Sequence, residues 1–244
     1  MSEPVELIVR TKGLAVEAGL NDAPLVRSDG REPISRSLAI DLWILPEDNR
    51  LTVRVSPGEE AAERPFLDLA IGSRAQPEPL CRVRWSSTSP SFEPFSIEIP
   101  IVLDSDLART DLWRRKAPPL TPDDTSAAQE LGWRFHEIVQ RRDATALASL
   151  VAYRTDETAR AFQLDAARLR ESVREQFEET FASPGLRVSE LAQDSIRVTP
   201  CAGDRVFHLS RADGGELMEV SHDRGDERGQ VYVARVDGRW TIVR

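Results

Sequence analysis

Between residues 4 and 103 apolar side chains recur at every second position, the period that puts alternate residues on opposite faces of a strand. Leu38, Ile40, Leu42 and Ile44 share one parity. Leu51, Val53 and Val55 do the same against Thr52, Arg54 and Ser56, and Cys81, Val83 and Trp85 against Arg82 and Arg84. Ile97, Ile99, Ile101 and Leu103 alternate with Ser96, Glu98, Pro100 and Val102, and the proline in that row marks an edge strand because it has no N–H for a ladder. With Val5–Val9, Leu14–Ala18 and Leu67–Ile71 the pattern predicts roughly seven or eight short strands, separated by turns such as Ser28-Asp29-Gly30 and Pro46-Glu47-Asp48-Asn49. Short strands joined by polar turns predict a β-sandwich over 1–105, with Trp43 and Trp85 in its core.

The period changes after a polar, proline-containing stretch at 106–121, which includes Arg114-Arg115-Lys116 and Pro118-Pro119 and reads as a linker. Thr121-Pro122-Asp123-Asp124 then opens a helix, with a hydroxyl cap, proline in the first turn and acids at the positive end of the dipole. Ala127, Ala128, Leu131, Phe135, Ile138 and Val139 form its apolar stripe. Asp143 begins a second, shorter helix with Leu147, Leu150 and Val151. Asp165 caps a third, whose Leu169, Val173, Phe177 and Phe181 recur every fourth residue until Ser183-Pro184-Gly185. Period two returns, predicting strands at about 186–199, 204–211, 215–221, 229–236 and 239–243, with hairpin turns at Gly203-Asp204, Asp213-Gly214-Gly215, Gly225 to Gly229 and Asp237-Gly238. The expected second domain, 122–244, is therefore α+β: three helices on an antiparallel meander.

Two segments carry family resemblances. Ile40 to Val55, a strand, a Pro-Glu-Asp-Asn turn and a second alternating strand, resembles part of the jelly-roll domains attached to bacterial enzymes. Residues 122–244, ending in Val231-Tyr232-Val233-Ala234-Arg235-Val236-Asp237-Gly238-Arg239-Trp240-Thr241-Ile242-Val243, resemble the cone-shaped domains related to nuclear transport factor 2 and ketosteroid isomerase. That resemblance implies a fold and no chemistry. A β-sandwich followed by such a cone also resembles the immunity proteins of type VI secretion effectors, which implies a cognate toxin as partner.

Composition narrows the partners. The 244 residues are 40% hydrophobic and 30% charged, enough apolar content to fold. Asp and Glu number 41 against 32 Lys and Arg, a formal charge of −9 shared by both halves, so nucleic acid and anionic membranes are repelled and a basic protein is favoured. The opening SEPVELIVRTKG has no secretory pattern, and no apolar run approaches a membrane span, which predicts a cytoplasmic location. Cys81 and Cys201, in different expected domains, predict neither a disulfide nor a zinc site.

Catalytic chemistry has few candidates. His136 flanks the stripe of the first helix, His208 shares parity with Val206 and Ser210, and His222 sits in a charged turn. In the cone, His208, Glu219 and Tyr232 are the candidate polar groups of a pocket, with Asp194 and Tyr153 as further titratable groups. The chain has no Gly-x-Gly-x-x-Gly, Gly-x-Ser-x-Gly or metal-ligand spacing, so no cofactor, metal or catalytic residue is expected. Gly132, isolated within a helix, reads as a packing residue.

The positive signal is acidic: Asp123-Asp124 near Glu130, Glu171-Glu175-Glu178-Glu179, and Asp223-Asp226-Glu227. Capping accounts for the first, four-residue pairing such as Arg174 to Glu178 for the second, and a solvated turn for the third. The global excess nonetheless suits a partner surface formed by Asp123, Asp124, Glu171, Glu175, Glu178, Asp223, Asp226 and Glu227. The expected function is non-enzymatic: occlusion of a toxin, such as a basic nuclease. An isomerase, dehydratase or small-ligand binder built on the cone is the alternative, and a carbohydrate or scaffold module on the sandwich a third.

Overall fold

The computed structural model describes residues 4–59, 63–73, 78–89, 91–103, 118–223 and 225–244. The chain divides into two compact units, Met1–Thr110 and Asp111–Arg244. Among the described residues the protein is mostly β, with four antiparallel sheets and four α-helices. Most of the expected linker, 106–117, lies outside the described residues. Its last residues belong to the second unit, where the Leu120 N–H donates to the Asp204 carbonyl at 2.7 Å.

The first unit contains β1 (Glu6–Lys12), β2 (Leu14–Leu20), β3 (Ala23–Ser28), β4 (Ile34–Ala39), β5 (Asn49–Pro57), β6 (Phe66–Gly72), β7 (Cys81–Ser86) and β8 (Phe95–Ile101). They form two four-stranded sheets, ordered β4-β1-β6-β7 and β3-β2-β5-β8, and β8 with its Pro100 lies at an edge. Leu51, Val53 and Val55 are buried, while Arg50 and Arg54 are exposed, so one face of the sheet is core and the other polar. On the polar face Arg27 and Arg54 converge on Glu17 at 3.0 and 2.5 Å, a rung across β3, β2 and β5.

The chain changes sheet between β1 and β2 at Gly13, where φ is 67°. Backbone packs on backbone there. A Cβ on Gly30 would meet Gly58 Cα at 2.6 Å and the Leu14 carbonyl carbon at 2.7 Å, so the connections after β3 and β5 can press against the crossing only with glycine present.

Residues 40–44 correct the sequence expectation. They form a 3-10 turn, Asp41–Trp43, with burial at Ile40, Trp43 and Ile44, a spacing of three and four rather than two. Polar side chains impose it. The Asn49 amide accepts from Leu45 N–H at 2.7 Å and donates to its carbonyl at 2.8 Å. Asn21 donates to the Trp43 carbonyl at 2.8 Å, and Asp41 accepts from Val5 N–H at 3.2 Å. Trp43 is core, whereas Trp85 is half-buried with Phe92 and Phe95, its ring centroids 4.5 and 5.5 Å from theirs.

The second unit contains α1 (Thr125–Gln140), α2 (Ala144–Leu150), α3 (Ala152–Phe162), α4 (Ala166–Phe181), β9 (Arg187–Val188), β10 (Ile196–Cys201), β11 (Val206–Arg211), β12 (Met218–His222), β13 (Gly225–Gly229), β14 (Val231–Val236) and β15 (Arg239–Ile242). Thr121 and Asp124 form a capping box before α1, and Asp143 and Asp165 accept from Ala146 and Arg168 N–H groups at 2.9 and 3.0 Å. The apolar face of α1 packs on β10, β11, β14 and β15; a Cβ on Gly132 would stand 2.8 Å from a Leu209 methyl. None of the four helices is long and apolar enough to cross a membrane.

Three expectations change here. Four helices replace three, because α3 buries Thr155, Glu157 and Ala159, a face with no large apolar stripe to register as periodicity. The single meander becomes two sheets, β10-β11-β14-β15 and β13-β12-β9. The strand expected over 186–199 is broken by the turn Gln193–Ser195 into β9 and β10, one in each sheet, and the expected turn at 225–229 is strand β13.

Candidate functional site

Strand parity sorts the second unit's large sheet into two faces. Phe207, Leu209, Val231, Val233 and Ile242 belong to the core that includes α1. His208 and Tyr232 have the opposite parity, are register partners across β11 and β14, and lie with ring centroids 4.8 Å apart. Both are buried, at 1% and 2% exposure. An isolated bridge between Ser210 and Glu216 brings a carboxylate beside them. His208 Nε2 lies 3.8 Å from Glu216 Oε2, beyond hydrogen-bond reach. Gln230 Nε2 donates to Glu216 Oε1 at 3.3 Å, and the Tyr232 hydroxyl donates to Gln230 Oε1 at 3.2 Å. Glu216, Gln230 and Tyr232 thus form a hydrogen-bonded series, and His208 Nε2 lies beside it with no hydrogen-bond partner among the described residues.

Of the three expected pocket residues, the fold joins His208 and Tyr232 and leaves out Glu219. Glu219 lies on β12, facing Arg211 at 3.7 Å and Arg228 at 3.8 Å. Glu216 and Gln230 are the members that sequence reading missed. Both fell within expected strands, 215–221 and 229–236, and the parity that Gln230 shares with Tyr232 was a signal for it; in the structure each lies in a connection beside a strand.

The other histidines are apart from this cluster. His136 is buried on α1 with its ring centroid 5.6 Å from that of Trp133, and its Nε2 has no hydrogen-bond partner among the described residues. Burial pushes its imidazole below the ordinary range, and Arg211 adds to the shift. His222 Nε2 lies 3.1 Å from Glu227 Oε1 on the β12–β13 hairpin.

A second polar cluster involves α3. Glu157 is buried and receives Arg244 Nη1 at 2.5 Å, with Arg160 Nη2 3.7 Å away. One helical turn back, Tyr153 borders a cavity of about 370 Å³ whose remaining lining is Val236, Asp237, Arg239 and Thr241. Burial pushes the Tyr153 phenol up to about 12, so it is a protonated donor at neutral pH. In the first unit a larger depression, about 500 Å³, lies along the Arg27–Glu17–Arg54 rung beside Ser56, Phe95 and Ser96.

No family model, curated protein or solved structure matches the chain.

Surface acids remain. Asp124 is buried and accepts from Thr121 N–H at 2.8 Å, its hydroxyl at 2.9 Å and Arg235 at 3.2 Å; the Thr121 backbone bond is the main cause of its lowered pKa. Asp123 beside it is exposed. Glu171 and Glu178 both bind Arg174, and Glu227 meets His222. Glu175, Asp223 and Asp226 are exposed and have no ion pair among the described residues. The turn after α4 meets the β12–β13 hairpin: Asp223 N–H faces the Pro184 carbonyl at 3.5 Å, and its carboxylate occupies the space a Gly185 side chain would need. This contact joins the hairpin that carries the third acidic group to the turn that follows the helix of the second, whereas Asp123 and Asp124 are at the start of α1. Among the described residues no cluster of three or more His, Cys, Asp or Glu is placed to hold a metal ion.

Proposed function

We propose that this chain is a cytoplasmic immunity protein, which binds a basic toxin effector such as a nuclease and covers its working surface without performing a reaction. The observation that carries the reading is a set of exposed carboxylates, Glu175 on α4 and Asp223 and Asp226 on the β12–β13 hairpin, which have no cation within the described chain. A basic surface would neutralise them, and their field would speed its approach. Glu171 and Glu178, already held on Arg174, keep neighbouring charge in fixed positions.

The same reading takes the first unit as a β-sandwich and the second as a cone of the nuclear transport factor 2 type. Two sheets with alternating burial favour the former, and α1 laid over the β10-β11-β14-β15 sheet favours the latter. Of the interior residues that an isomerase of that fold would use, Tyr232 is bonded to Gln230 and His208 is 1% exposed, which speaks against an open reaction site around them.

The test pairs the purified chain with the product of the adjacent reading frame and follows association by surface plasmon resonance at low and high salt. Expected is a complex whose association slows with salt, and which the double variant Glu175→Lys with Asp226→Lys forms at least about ten-fold more slowly. Failure of the wild-type chain to bind and neutralise that product, or an unchanged rate for the double variant, rejects the proposal.

A further inference from the structure

The side chains that line the cavity beside Tyr153 form no hydrogen bond or ion pair with one another among the described residues. Its geometry follows from a short hairpin. Asp237 and Gly238 take positive φ values of 48° and 77°, the two-residue turn that closes β14 onto β15. Strand alternation then separates β15 into Trp240 and Ile242, which join the core with α1, and Arg239 and Thr241, which face the cavity. Tyr153 reaches the same space from α3.

In the charged layer next to this cavity Glu157 already holds Arg244 and Arg160. The lining groups are open: the Tyr153 hydroxyl is buried without a hydrogen-bond partner among the described residues. Asp237 and Arg239 likewise form no ion pair there, even though they are opposite charges on one turn. A carboxylate and a guanidinium thus flank one concavity without neutralising one another, with two hydroxyls and the apolar Val236 between them. At about 370 Å³ the space falls within the range of small-molecule pockets.

We infer that this cavity binds a small zwitterion of the α-amino-acid class. Arg239 and the Tyr153 hydroxyl receive the ligand carboxylate, Asp237 the ammonium group, Thr241 either polar end, and Val236 a short apolar side chain. A guanidinium offers a forked donor pair to a carboxylate, and the phenol adds a neutral donor that stays protonated. A simple anion would leave Asp237 repelled, and a simple cation would leave Arg239 repelled. Only a molecule carrying both charges satisfies both.

The experiment titrates the full-length, nitrogen-15-labelled chain with three probes, followed by NMR chemical shifts: L-valine, isobutyrate, which lacks the ammonium group, and isobutylamine, which lacks the carboxylate. Expected are saturable shifts at residues 237–241 and around Tyr153 with L-valine, and binding at least about ten-fold weaker for each half-molecule, the effect of one lost charge-assisted hydrogen bond. Arg239→Gln and Asp237→Asn, both on an exposed turn, are expected to weaken L-valine by a similar factor, and Tyr153→Phe by less. Equal binding of isobutyrate and L-valine overturns the zwitterion assignment. Absence of saturable binding by all three probes, or shifts confined to another region, overturns the site. The Glu175→Lys, Asp226→Lys double variant is expected to bind L-valine normally, which keeps this result separate from toxin binding.

Discussion

The clusters around His208 and around Tyr153 both combine an aromatic hydroxyl, a carboxylate and a basic group in the second unit, yet they are completed differently. Glu216, Gln230 and Tyr232 form a hydrogen-bonded series with His208 beside it, and His208 and Tyr232 are at most 2% exposed. Burial removes these two side chains from bulk water, so the contacts open to them are mainly those the chain supplies. Around the Tyr153 cavity, Asp237 and Arg239 are exposed, and solvent satisfies them until a ligand does. The difference teaches where to look for binding. Polar side chains that line a cavity without pairing with one another are the place to look for a ligand.

That contrast can be broken by mutation. The largest effect is expected at Glu157→Ala, which leaves the buried Arg244 guanidinium without its carboxylate: a loss of about 3–5 kcal/mol in urea denaturation. A loss below ~1 kcal/mol would mean that Arg244 finds water once Glu157 is removed. Glu216→Ala should cost about 1–3 kcal/mol, since the Gln230 amide loses its acceptor. Unchanged stability there would mean that the bond between Gln230 and Glu216 contributes nothing to the fold.

His136, buried and outside both clusters, sharpens the comparison through pH. Its pKa is depressed in the folded chain, so folding binds fewer protons than unfolding, and its contribution is fully present above the unfolded value of 6.5. Stability should fall as pH drops below that value toward the folded pKa, and His136→Gln should flatten this part of the profile. An identical profile for the variant would assign the pH dependence to other groups. The smallest effect belongs to the open cluster: Arg239→Gln should change stability by less than about 0.5 kcal/mol, as expected of an exposed group with no partner.

Legibility in the sequence followed the same division. The apolar stripes of α1 and α4 and the caps at Asp143 and Asp165 are local signals, and the helices begin where those signals put them. The Asp237-Gly238 hairpin is another, since two residues with positive φ suit that pair. Helix α3 escaped because its buried face carries Glu157, which is intelligible only with Arg244, 87 positions away. Strand β13 escaped because Gly225 and Gly229 with three charged residues between them read as a turn; its pairing with β12 makes it a strand. Residues 40–44 alternated like a strand, but Asn21 and Asn49 draw them into a turn through bonds formed across the first unit.

The candidate residues divide likewise. Parity put His208 and Ser210 on one face of their strand, and the register then added Tyr232; Glu216 and Gln230 lay in expected strands, but only the folded chain, through the Ser210–Glu216 bridge and the bonds of Gln230, brings them to the cluster. Chain-local information, the two periods, the caps and the turn residues, determined two regions of different construction, and the composition determined an acidic net charge. Tertiary structure alone decided which polar groups are engaged and which remain open. Backbone geometry sets a periodicity within a few residues, whereas a hydrogen bond or ion pair requires two side chains to meet, and segments far apart in sequence meet only when the chain has folded.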